Sequence, residues 1–277
     1  MRCKIRKNGL RAGVLIAGLC LLAAARPGAA QESIGSPFDD HVRLTAGLLS
    51  ATADTELRLD ADDGTLGTPV SGEDDLGFAK RSESADVEAE VRIRERHLVR
   101  FNYFRLDRQA TTTLTRQIQF GNDTFQPGDE VETALDLHEF TATYAYRFVR
   151  TQRFEFYGSF GIHLTELAAE GRVRARNLHE EQHEVAPLPT LGLGAEVAFT
   201  DRIFMSAYVD YLQATVNDFD GEVLDARISA LWRFNRNLSA GLGYYLVERR
   251  VDSQDPNDSG HFKLTNGGAE LFLRMSF

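Results

Sequence analysis

In Asp86-Val87-Glu88-Ala89-Glu90-Val91-Arg92 every second residue is charged and every residue between is apolar. Carboxylates and guanidiniums spaced by two could act as acids and bases, line a polar conduit, or neutralise one another as ion pairs. The same spacing recurs along the chain. It gathers Arg43, Glu88, Glu90, Arg92, Arg100, Glu139, Glu155, His163, Glu196, Asp210, Asp225, Arg227, Glu270 and Arg274 on one phase. A period of two is that of a strand between two environments. The charged face is expected inside, where interleaved acids and bases would form an ion-pair network that plugs the space. A narrow polar pore and an active site are the alternatives, since perturbed carboxylates serve both structure and catalysis.

Seven histidines offer other chemistry: His41, His97, His138, His163, His179, His183 and His261. His179 and His183 stand four apart beside Glu180, Glu181 and Glu184, a spacing that could hold a metal on a helix. The order His-Glu-Glu-Gln-His superficially resembles the zinc-protease helix His-Glu-x-x-His. The stretch lacks an apolar helical frame, so a solvated loop is expected instead. His138 with Asp136, near a strand's outer end on the outward phase, could imitate a catalytic pair. So could His163 with Thr165 and Glu139 inside. No Gly-Xaa-Ser-Xaa-Gly elbow and no phosphate loop occurs. No catalytic residue, cofactor or metal site is assigned, and an enzyme is not expected.

The elements that must position these residues are ten alternating segments: 41–52, 82–93, 98–108, 132–148, 154–167, 187–199, 202–215, 222–234, 238–251 and 261–277. In 222–234, Leu224, Ala226, Ile228, Ala230, Trp232 and Phe234 oppose Asp225, Arg227, Ser229 and Arg233. A one-residue slip would reverse the faces, so register is well determined. Phe104 and Leu106 break phase in 98–108, and a bulge or the rim is expected there. Short turns sit at 94–97, 149–153, 200–201 and 235–237. Long or polar loops sit at 53–81, 109–131, 168–186, 216–221 and 252–260. Short connections on one side and long ones on the other follow the outer-membrane pattern of periplasmic turns and extracellular loops. Phe148, Phe154, Phe199, Phe234 and Phe277 fall at the short-turn ends on the apolar phase, like an interfacial aromatic girdle.

The first long loop carries Asp54, Glu56, Asp60, Asp62, Asp63, Glu73, Asp74 and Asp75, with Arg58 as its one clear counter-charge; the last carries Asp252, Asp255 and Asp258. Solvation is the plain reading of such runs. Divalent cations bridging to lipopolysaccharide phosphates are the sharper one, because carboxylates are hard oxygen ligands. Asp60 to Gly64 faintly resembles a calcium loop, but the Glu expected near its end is missing.

The two ends agree with this architecture. Arg2, Lys4, Arg6, Lys7 and Arg11 precede the apolar run Ala12 to Ala25, and Gly28-Ala29-Ala30 follows. Residues 1–30 are read as a secretory signal peptide and residues 31–277 as one barrel domain. Cys20 follows Leu19, where a lipobox needs a small residue, so lipidation is not expected. Cys3 and Cys20 both lie in this segment, leaving no thiol for a disulfide or thiolate site. Of 31 basic residues six lie in 1–30, leaving 25 against 41 acidic ones. That balance argues against nucleic acid.

At the other end, Ala269, Leu271, Leu273, Met275 and Phe277 alternate with Glu270, Arg274 and Ser276. A terminal Phe closing such a strand resembles the assembly signal of Gram-negative outer-membrane β-barrels. The chain is similar to the small OmpA and OmpW class. It differs from the OmpA type in having no periplasmic domain after the barrel, and Phe272 stands where the usual closing signal has glycine. The resemblance implies an all-β, antiparallel up-and-down transmembrane barrel of about ten strands, with eight or twelve as alternatives. It implies the outer membrane, both termini periplasmic, and contact with outer-membrane lipids, lipopolysaccharide and the barrel assembly machinery. The expected role is structural or surface interaction with a charge-filled lumen. A small channel for polar or weakly hydrophobic solutes is the alternative, and a rim-sited lipid A or peptide hydrolase the second.

Overall fold

A computed structural model describes residues 35–173, 178–216, 219–253 and 259–277, with the backbone alone over 178–187 and at 216 and 219. The signal peptide expected at 1–30, and Asp255 and Asp258, lie outside the described residues.

A 3₁₀ turn, Pro37–Asp39, precedes thirteen strands: β1 Val42–Leu59, β2 Val70–Ser71, β3 Arg81–Arg94, β4 His97–Thr113, β5 Ile118–Phe120, β6 Asp123–Phe125, β7 Glu130–Arg150, β8 Phe154–Val173, β9 Leu178–Ala198, β10 Ile203–Val216, β11 Phe219–Arg233, β12 Leu238–Ser253 and β13 Gly260–Ser276. Ten of them form one antiparallel wall in the order β1, β3, β4, β7, β8, β9, β10, β11, β12, β13. The last pairs with the first, from Arg43↔Ser276 to Leu59↔Gly260, so the sheet closes on itself. Closure satisfies backbone groups that hydrocarbon cannot. β2 and the β5–β6 hairpin belong to the long-loop end.

The polarity of the two faces inverts part-way along the strands. Near the short turns, β1 shows Leu44, Ala46 and Leu48 outward and Arg43, Thr45 and Gly47 inward. Further on, Ser50, Thr52, Asp54 and Glu56 face out, while Leu49, Ala51, Ala53 and Leu57 are buried. β13 repeats the change: Leu271 and Leu273 are exposed beside buried Glu270 and Arg274, whereas Phe262 and Leu264 are buried beyond them. β7 does so between Phe140, which faces out, and Leu137, which faces in. The first half is an apolar belt around a polar lumen. The second half encloses apolar side chains: Leu57, Phe78, Leu106, Leu135, Leu137, Phe262 and Leu264 form one buried cluster there, with Thr55, Arg108 and Asn266 buried beside it.

This inversion corrects two expectations. Phe104 and Leu106 do not mark a bulge. β4 pairs with β7 without a shift from His97↔Tyr146 to Thr113↔Glu130. Both side chains face an interior that has become apolar. The register shifts fall elsewhere, at Arg92/Arg94 and Arg147/Val149, close to the short turns. Secondly, much of the expected long loops is strand. β1 reaches Leu59, β4 reaches Thr113, and β8 and β9 pair from Phe154↔Val197 to Val173↔Leu178.

One seam is incomplete. β9 and β10 pair only from Phe204↔Ala198 to Tyr211↔Leu191. Beyond that level β9 stays on β8 and β10 stays on β11. Pro187 and Pro189 occupy β9 just past the break, paired to Leu164 and Ile162 of β8. Their missing N–H groups fall on one side of the strand, and the unbroken β8 ladder requires that side to be the open one.

The belt makes a prediction. Leu273→Arg, at mid-belt, should cost about 2–4 kcal/mol, whereas Thr265→Arg, on the same face past the inversion, should cost about 0–1 kcal/mol. Urea unfolding of both variants in lipid vesicles measures the contrast; equal costs would remove the belt.

Candidate functional site

The lumen of the belt is crossed by four arginine–carboxylate pairs, each joining strands that are not neighbours in the wall. Arg43 of β1 reaches Glu196 of β9 at 3.0 Å. Arg100 of β4 reaches Asp210 of β10 at 3.1 Å. Arg227 of β11 reaches Asp86 of β3 at 3.0 Å. Arg249 of β12 grips Glu139 of β7 with two bonds, 2.8 and 2.7 Å. Arg43, Arg100 and Arg249 and their carboxylate partners, with Asp86, are buried, and Arg227 is half-buried. Bidentate guanidinium–carboxylate contacts are the geometrically most specific of charge-assisted bonds.

The remaining residues of the inward phase fill in between these struts. Glu90 lies 3.4 Å from Arg43, and Glu270 lies 3.5 Å from Arg227. Glu88 sits 3.9 Å from both Arg100 and Arg274. Arg92 approaches Glu155 at 3.6 Å, and Arg147 binds the same carboxylate at 2.5 Å. Asp225 is half-buried on β11, in register with Asp210. Arg147 and Arg249 were not singled out from the sequence. Arg147 was legible from its alternation with Phe148, but Glu248-Arg249-Arg250 hides its phase in a run of three charges. A void of about 20 Å³ remains among Glu88, Arg100, Tyr157, Tyr208 and Arg227, room for about one water.

Both ends of this charged section are stoppered. At the short-turn end Phe38 is 1 % exposed and packs on Ala198, Phe204, Leu231 and Phe272. Arg43 Nη2 donates to the Pro37 carbonyl at 2.7 Å, and Ser36 Oγ accepts from Phe38 N at 3.2 Å, which fixes the turn. At the other end Val70, Leu114, Ile118, Phe125, Val131 and Val173 form a second apolar cluster that includes the β5–β6 hairpin. The first loop has counter-charges that its own sequence does not show: Arg108 bonds Glu73 at 2.6 Å and Arg116 bonds Asp75 at 2.7 Å. Lys80, within the loop, lies 3.2 Å from Asp74 and was passed over in the sequence.

The histidines are placed apart from one another. His163 is 1 % exposed; its Nδ1 lies 3.1 Å from Glu139 Oε1, and Thr165 donates to the same carboxylate, not to the ring. His138 is outside on the same face as Asp136, and Asp107 of β4, paired with Asp136, lies 3.6 Å from its ring. His179 and His183 lie on the extended backbone of β9, in register with Arg172 and Ala168. Four residues of strand separate their Cα atoms by about 13 Å, too far for the shared metal that a helical turn would allow. Asp60 is held by protein donors: Gly67 N at 2.8 Å, Ser259 Oγ at 2.7 Å and Arg58 Nε at 3.0 Å. Among the described residues no group of three potential ligands is gathered for a metal ion.

No family model matches the chain, and no curated protein matches it in sequence. Among solved structures, the outer membrane protease OmpT of Escherichia coli aligns over 90% of this chain and 100% of its own, with a TM-score of 0.53 at 9% identity. The translocator domain of the autotransporter NalP from Neisseria meningitidis covers 86% of this chain and 89% of its own, at 0.47 and 12% identity. The outer membrane protein OprG of Pseudomonas aeruginosa covers 88% and 98%, at 0.40 and 10% identity. The likeness to OmpT is one of fold: the chain has the closed, ten-stranded antiparallel architecture of outer-membrane β-barrels.

Two measurements follow from the site. Glu139→Gln removes the carboxylate that Arg249 grips and should cost about 3–5 kcal/mol, whereas Glu139→Leu with Arg249→Met should come near neutrality; urea unfolding compares them. In the loop, the two-bonded Arg116 holds the Asp75 carboxyl below the usual range, against the opposing effect of partial burial. A depressed folded value means that this attachment is present above the ordinary carboxyl value of about 3.9 and is lost as pH falls through the folded one. Hydrogen exchange of the Leu76 and Phe78 amides, bonded to the Ser71 and Gly72 carbonyls, should therefore stay slow at about pH 5 and quicken only below about pH 3.9. In Arg116→Gln it should quicken earlier.

Proposed function

We propose that the protein is an outer-membrane β-barrel with a closed lumen, serving a structural or surface-interaction role, and that it is neither a pore nor an enzyme. The observation that carries this reading is the set of four cross-lumen arginine bridges. They tie opposite walls at successive levels where a channel would need open water. Phe38 below and the Val70 and Phe125 cluster above support it independently. His163, the interior histidine with a carboxylate, is sealed under that upper cluster and cannot meet a substrate without unfolding it.

In this reading the short turns face the periplasm and the acidic loops face the exterior. Leu271, Leu273, Met275 and Phe277 present the closing strand to the barrel assembly machinery, and the apolar belt meets outer-membrane lipid. Lipopolysaccharide lies beside the outer half of the strands, with divalent cations between its phosphates and the acidic loops.

Planar-bilayer recording of the refolded barrel tests the reading. Heat-modifiable, folded protein should be electrically silent, and Glu88→Ala and Arg227→Ala should be silent too. Steady openings whose size changes in those variants would make the lumen a conducting path and overturn it.

A further inference from the structure

The short-turn end carries a charge pattern that neither closure nor packing requires. Its four described turns each hold exposed arginine: Arg94 and Arg96, Arg153, Arg202, and Arg236. Each turn also lies against an outward aromatic residue of the belt edge. Arg96 Nη1 donates to the Phe148 carbonyl at 3.3 Å, and Arg153 Nη1 to the Phe199 carbonyl at 2.8 Å. Arg236 follows Phe234 by two residues. Phe148, Phe199 and Phe234 are 53%, 55% and 51% exposed, so the guanidiniums sit just below an aromatic ring of the wall.

The acids at this end do not neutralise them. Asp39 and Glu95 face Arg150 at 3.3 and 3.8 Å, and Asp40 binds Arg233 at 2.7 Å. Among the described turn residues two acids, Glu95 and Asp201, stand against six arginines, and all of these but Arg150 are in no ion pair. No lysine occurs in these turns. Arginine's planar fork matches a phosphate oxygen pair, where lysine offers a point charge. The loops at the opposite end are acidic, so the pattern is specific to one rim.

We propose that the short-turn rim is a binding ring for the phosphodiester headgroups of anionic glycerophospholipids in the leaflet it faces. The aromatic residues fix the depth of the wall in the interface. The guanidiniums then lie at the level of the phosphates, where each basic group adds to the attraction. The proposal rests on the reading of the chain as a membrane barrel but not on whether its lumen conducts.

Spin-labelled lipid in symmetric proteoliposomes tests it, because both rims then see the same headgroups and orientation drops out. The folded barrel should select phosphatidylglycerol over phosphatidylcholine at its perimeter, and high salt should weaken the selection. The variant combining Arg94→Gln, Arg96→Gln, Arg153→Gln, Arg202→Gln and Arg236→Gln should bring the ratio to about one, a loss of about fivefold or more. Should that variant fail to show heat-modifiable folding, Arg153→Gln with Arg202→Gln and Arg236→Gln is the milder one, expected to lose more than half of the preference. No selection in the wild type, or selection unchanged in the folded variants, overturns the proposal. A bilayer conductance from the same preparation would instead overturn only the closed-lumen reading.

Discussion

The ladder between β1 and β13 is the interaction on which everything else depends. Without it the sheet has two bare edges in hydrocarbon, and no side-chain contact can offset unsatisfied backbone groups there. With it, register is fixed around the ring, from Arg43↔Ser276 through each neighbouring pair. Register in turn decides which half of the side chains is enclosed. The lumen is the by-product of closure, and its contents are whatever the inward phase delivers.

What the inward phase delivers changes along the strand. Within the belt it is charge, and the charges are arranged so that opposite walls hold one another through Arg43–Glu196, Arg100–Asp210, Arg227–Asp86 and Arg249–Glu139. Such pairs do not add much net stability over a well-packed apolar filling, but breaking one is costly. They therefore act chiefly by excluding other arrangements of the wall. Past the inversion the same phase delivers Leu57, Leu106, Leu135 and Leu264, which stabilise by removing apolar area from water. The strands thus leave the belt and continue as the core of a water-exposed structure.

The belt was legible in the sequence because charge and apolar residues alternate there with the period of a strand. Val87, Ala89 and Val91 against Glu88, Glu90 and Arg92 admit one arrangement. The outer half was not, because the alternation persists while its sense reverses. Asp54 and Glu56 look like a loop when polar residues are expected inside. Phe104 and Leu106 look out of phase for the same reason. The partners of the lumenal charges were illegible for another reason: Arg249 and Glu139 are 110 residues apart, and only the count of strands around the ring brings them face to face. His179 and His183 show the converse, a suggestive spacing emptied of meaning by an extended backbone. The rim arginines were visible as residues, but their shortage of acidic partners was not, since it depends on Arg150 and Arg233 engaging Asp39, Glu95 and Asp40.

The unfinished seam between β9 and β10 gives the outer half a different topology from the belt. Below Leu191 and Tyr211 the wall is a closed cylinder; above them it is a curled sheet with two free margins. A cylinder can change its bore only by breaking a ladder, whereas a curled sheet can open by bending. Pro187 and Pro189 withhold two donors from the margin next to the break, which discourages both re-zipping and the addition of a foreign strand. The wall is therefore laddered all round at the collar, and the gap among its described residues lies along one meridian of the outer half.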